Sequence, residues 1–138
     1  MITHRLPFNK MILSYTAVLT VLCVFAQIVV AVNNNEVGAM SVLALLPALF
    51  YYLYFNSRAS NKLDQVRFGK LLVHFITFLI VNLSYHIHAA FVVTQSGTNM
   101  LLPSGWNGVL FGMFIVWGIV LAFHAIVSIL NSGLENFK

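Results

Sequence analysis

Four of the five histidines, His74, His86, His88 and His124, lie inside long uncharged runs, where an ionisable ring is costly and has the most chemistry open to it. A neutral imidazole can ligate a metal, pass a proton, or donate one hydrogen bond while accepting another. His74 and His88 stand 14 residues apart. At about 100° per residue, His88 returns to within about 40° of the face that carries His74, with Phe78, Val81 and Tyr85 completing the stripe. Counted from the middle of its helix at about 1.5 Å per residue, His74 falls about 8–10 Å toward one end. His124 falls equally far toward the same end, so adjacent antiparallel helices bring the two rings to one level.

Two imidazoles on facing helices at matched depth are what a b-type haem requires, because its iron takes axial nitrogens from opposite sides. His74 and His124 are therefore candidate axial ligands of haem b. The 14-residue pair also resembles the spacing in membrane cytochromes b, where each histidine serves a different haem. Here His88 has no second histidine at its level and His86 points about 120° from His74, so one haem is the most the pattern supports. The alternative is structural: neutral rings bonded across the bundle to Asn82, Tyr85, Ser128 or backbone carbonyls, with His86 and His88 wetted near a surface. A zinc centre would need three or four converging ligands, which these spacings do not supply, so no metal site is expected.

The elements that must position these rings are set by charge. Lys and Arg number seven and Asp and Glu three, 7% of 138 residues, against about 25% in soluble domains. Hydrophobic types make up 60% and the mean hydropathy is +0.91, which places the chain in the integral membrane class. Every charge sits at a boundary: Arg5 and Lys10, then Glu36, then Arg58, Lys62, Asp64, Arg67 and Lys70, then Glu135 and Lys138. The runs between them predict four helices near residues 11–32, 38–55, 69–93 and 106–131, each near the length of about 20 residues that a bilayer needs. The last two are separated by turn chemistry at Thr94–Asn99 and Pro103–Gly105. The fold expected is an all-α integral membrane protein, a four-transmembrane-helix bundle. One hairpin lies over 1–56, a basic connection over 57–68 and a second hairpin over 69–138.

Lys and Arg mark cytoplasmic segments. The N-terminal tail carries two, the 58–70 stretch four and the C-terminus one, so both termini are expected in the cytoplasm. Tyr15, Tyr51, Tyr52 and Tyr54 are then expected at the inner interface and Trp106 at the outer one. The first run exceeds a signal peptide's apolar segment and lacks a small-x-small cleavage site, so it reads as a span rather than a leader.

Absences narrow the function. The first span has no carboxylate for proton-coupled export, one cysteine cannot form a CxxC pair, and phosphate-loop, HExxH, GxSxG and zinc-finger spacings are missing. No hydrolase or transferase chemistry is indicated, so a non-enzymatic role is expected. The basic residues Arg58, Lys62, Arg67 and Lys70 answer first to topology. They can also contact anionic lipid or a cytoplasmic protein partner; without interleaved aromatics, no nucleic acid is indicated. Gly108 and Gly112 form a GxxxG, followed by Gly118 and Ala122, a small face for packing within the bundle or for a homo-oligomer. Thr16, Thr20, Cys23 and Gln27 make a mildly polar stripe that would line a pore or bond internally, and Pro47 is expected to bend the second span.

The second half, residues about 68–131, resembles the bacterial 2TM domain, a helical hairpin of short membrane proteins and of some LytTR-type signalling proteins. His74, Phe78, Val81 and Asn82 match its first-helix pattern of His, an aromatic and Val-Asn. Trp117, Gly118, Ile119, Leu121 and His124 match the second. Val120 stands where the family has a second glycine, Phe78 where it has tyrosine, and the aromatic-Pro segment before Trp117 is absent. The resemblance implies membrane anchoring and signalling in a bacterial inner membrane and links His74 to His124. Three functions stay open: an oligomeric sensor, anchor or membrane effector for a cytoplasmic partner; a haem-binding electron-transfer subunit; and a small oligomeric pore.

Overall fold

Long runs rich in Leu, Val, Ile, Phe and Ala, interrupted by no more than an isolated proline or glycine, propagate helix. The computed structural model describes residues 7–95 and 102–135. Its helices are α1 (Phe8–Val32), α2 (Ala39–Leu63), α3 (Gly69–Gln95) and α4 (Phe114–Glu135), the last preceded by a six-residue π-helical segment, Gly108–Met113. Four helices are long and apolar enough to cross a membrane, and among the described residues there is no strand.

α2 does not end where its apolar run ends. It continues through Arg58 and Lys62 to Leu63, so the expected connection over 57–68 shrinks to a turn at 64–68. Loss of hydropathy ends a span but not a helix, and Asn56–Leu63 contains neither glycine nor proline to stop one. The turn is closed by Asp64 N–H donating to the Ser60 carbonyl at 2.9 Å and Gly69 N–H to Val66 at 2.8 Å, and by a Lys70–Asp64 ion pair at 2.6 Å. Helix assignment also runs unbroken through Pro47, which leaves the Leu43 carbonyl without its usual helical donor.

At the other end the chain reverses through Asn34 and Asn35, both left-handed at φ 55° and 58°, a conformation asparagine tolerates far better than the β-branched residues before it. Val37 N–H donates to the Ser104 carbonyl at 3.0 Å. Gly105 follows at φ +86°, where an added Cβ would collide with the Val37 carbonyl oxygen. Two loops far apart in sequence are thereby locked into one rim.

The helices do not close into a single four-helix bundle. α1 lays Tyr15, Leu19, Cys23, Ala26 and Val30 between α2 and α3, and these five side chains are at most 1% exposed. α3 contributes Val73, Thr77, Val81, Asn82, Tyr85, Ala89 and Val92 to the same core. α4 packs on α3 alone, without approaching α1 or α2, and none of its described side chains is buried. The molecule is a three-helix body with a fourth helix attached to one side. Apolar residues surround α4 on every face, so no amphipathic stripe in the sequence marks which side docks.

Lys10, Arg58, Lys62, Arg67 and Lys70 gather at one end, with Asp64 among them; the Asn34 rim carries Glu36 as the sole formal charge among the described residues.

Candidate functional site

Two clusters of polar side chains interrupt the apolar core, one toward each end. The first lies along α3 where α2 and α4 do not meet, a cleft of about 450 Å³. α3 presents His74 and Thr77 to it, α2 presents Tyr52, and α4 presents His124 and Trp117. His74 Nδ1 is hydrogen-bonded to the Tyr52 hydroxyl, which fixes the ring from α2. Thr77 donates to the Val73 carbonyl at 2.7 Å and shares a 2.6 Å bond with the buried Tyr15 hydroxyl. Tyr15 itself stacks on Tyr51 at 5.5 Å and against Phe55 at 4.2 Å. Tyr15 is therefore a core residue that ties α1 to α3, not an interfacial ring, whereas Tyr54 on the next face is 60% exposed.

The depth argument from sequence does bring His74 and His124 together, with ring centroids 4.8 Å apart and planes at 76°. That approach is too close for haem. An iron held between axial imidazoles, with bonds of roughly 2 Å on each side, separates the ring centroids by roughly 6 Å. Here one ring edge rests on the other ring, leaving no slot for a porphyrin between them, so the pair does not fit the group it was expected to ligate. Among the described residues, no group of three or more His, Cys, Asp and Glu is placed to hold a metal ion.

The second cluster was not legible as a site. His88, expected to be wetted, instead joins three parts of the chain: Nδ1 lies 2.8 Å from Gln27 Oε1 on α1 and Nε2 lies 3.1 Å from Asn35 Oδ1 in the rim. The Ser84 hydroxyl donates to the Val81 carbonyl at 2.7 Å and so receives Gln27 Nε2 at 3.3 Å. This orients the Gln27 amide with its oxygen toward His88, which puts a proton on Nδ1; Nε2 is then the acceptor, and the Asn35 amide meets it with its nitrogen turned inward. Trp106 seals the cluster. Its indole donates to the Asn35 carbonyl at 2.7 Å and meets the His88 ring edge-on at 5.3 Å. Trp106 is fully buried, not an interfacial anchor. The signal that was available was Gln27 and His88 as polar residues on two spans; what was missing was the left-handed turn that brings Asn35 over them.

The remaining candidates disperse. His86 bonds the Asn82 carbonyl of its own helix at 2.8 Å and joins neither cluster. Asn82 donates to Phe78 at 2.8 Å, while its Oδ1 is buried without a partner. The polar stripe on α1 divides: Cys23 is core, Gln27 is bonded inward, and Thr20 donates to the Thr16 carbonyl at 2.8 Å. A Cβ at Gly108 or Gly112 would meet nothing within 4 Å, whereas Gly118 faces the Phe78 ring at 3.9 Å. The four small residues do not form one face, because π-helical bonding over Gly108–Met113 rotates the later pair relative to the earlier one. Of the basic residues, Lys70 is paired with Asp64, Arg67 lies over Phe68 at 5.0 Å and Arg58 over Tyr54 at 6.0 Å.

No family model, curated protein or solved structure matches the chain.

Proposed function

We propose that the protein is a non-enzymatic integral membrane module of a bacterial inner membrane, working as an oligomeric sensor or anchor for a cytoplasmic partner. Both termini, the last turns of α2 and the 64–68 turn lie in the cytoplasm. The observation that carries this reading is the distribution of charge on an apolar body. Five Lys and Arg side chains collect at one end, the opposite rim carries only Glu36 among the described residues, and the helices between expose Phe, Leu, Ile and Val along their length. Such a surface is stable in hydrocarbon, and its basic end is the end retained in the cytoplasm. The cytoplasmic partner would meet α2's last turns and the 64–68 turn, where Arg58, Lys62 and Arg67 stand. The likeness of α3 and α4 to the 2TM domain is kept as part of the proposal.

The test uses single cysteines in a Cys23→Ser background, labelled in intact bacterial cells with a membrane-impermeant maleimide. Asn33→Cys at the rim should label and Asn61→Cys on α2 only after the cells are opened; the reverse pattern, or recovery outside the membrane fraction, refutes the proposal. The haem reading has no supporting observation beyond the proximity of two rings that are too close, and the pore reading loses its polar stripe to internal bonds.

A further inference from the structure

We propose that the cleft between α2, α3 and α4 binds a neutral lipophile whose head presents a carbonyl oxygen and whose tail is hydrocarbon. Its volume, about 450 Å³, lies within the range of roughly 300–1,000 Å³ of small-molecule sites. Tyr52, His74 and His124 stand together at one part of the cleft. Thr77 spends its hydroxyl on Val73 and Tyr15, and Leu45, Leu49, Val81 and Trp117 line the rest.

The unfilled hydrogen-bonding capacity lies with the two histidines. His74 uses Nδ1 on Tyr52 and keeps Nε2; His124 makes no hydrogen bond among the described residues, although its ring touches His74. A neutral His124 has one N–H to donate beside one bare nitrogen, and it is this N–H that an acceptor head answers. No Lys, Arg, Asp or Glu lines the cleft. The cleft therefore holds no fixed charge with which a phosphate or carboxylate could pair. A carbonyl matches without charge transfer into hydrocarbon. Because α4 touches α3 alone, the cleft opens sideways, the direction from which a membrane-dissolved molecule arrives. Carbonyl heads on hydrocarbon tails come from two sources, alkyl quinones and glyceride esters.

This inference rests on the membrane reading, and failure of that reading shows first, as protein missing from the membrane fraction. The binding experiment uses the full chain in detergent micelles with two probes, a decyl-substituted benzoquinone and a diacylglycerol with brominated chains. Both quench tryptophan, and Trp117 lines the cleft. Saturable quenching by either probe, absent in Trp117→Phe and about tenfold weaker in affinity in His124→Leu for one lost hydrogen bond, supports the site. The probe that saturates identifies the source. Quenching that rises linearly for both probes, or saturates equally in His124→Leu, overturns it. His124 is exposed, so His124→Leu should keep the parent's helical circular dichroism and remain a fair comparison.

Discussion

The side chain that matters most to the architecture is His88, because three segments depend on its two nitrogens. Replacing it with alanine leaves the Gln27 Oε1 and the Asn35 side-chain amide without their ring partner, and the expected loss is about 1–3 kcal/mol in reversible unfolding from detergent. Asn82 behaves oppositely. Its Oδ1 is already buried without a partner, so Asn82→Leu should leave the melting temperature unchanged or raise it. The glycines give a third contrast. Gly105→Ala drives a Cβ into the Val37 carbonyl from a left-handed backbone and should sharply lower folded yield, while Gly112→Ala enters open space and should gain up to about 1 kcal/mol of helix propensity. Sequence alone placed His74 beside His124 because depth along a helix can be counted. It could not place His88 with Gln27 and Asn35, whose approach depends on two consecutive left-handed asparagines, nor foresee that the matched rings would touch and shut out a porphyrin.

Among the elements, α4 stands apart. It is docked on one neighbour, is flanked by the Tyr52–His124 cleft on one side, and on the other by an apolar groove of about 540 Å³ lined by Phe68, Leu72, Phe75, Gly118 and Ala122. Hydrogen–deuterium exchange should therefore show the amides of α4 opening before those of α1, whose core stripe is covered from two sides. Equal protection in α1 and α4 would mean that a second copy covers the free face. The existence and order of the helices were readable because uncharged runs of that length have one economical conformation. Their mutual packing was not, since α4 is apolar all round and a π-helical segment breaks the spacing on which any facing argument depends. α2 overran its expected end for a related reason: its polar last turns lack a helix-stopping residue.

For the molecule as a whole, orientation should follow the basic end. Changing Arg58, Lys62, Arg67 and Lys70 together to glutamine removes most of the charge that, on the proposed topology, would hold the α2–α3 turn in the cytoplasm. The expected result is a mixed population in which Asn61→Cys becomes partly reactive to an impermeant maleimide in intact cells. Unchanged labelling would place the topological determinant elsewhere, in the tails.

The rim described above also has an order in time. A chain made from its N-terminus delivers α1, the Asn34 turn, α2 and α3 before Trp106 exists, so Asn35 and His88 wait beside an empty hollow until the indole arrives. The largest fully buried side chain in the molecule is thus added after the helices it seals have already met. A ribosome stalled with the chain emerged only through α3 should hold three associated helices with an unlatched outer rim, and the latch should close as the segment leading into α4 follows.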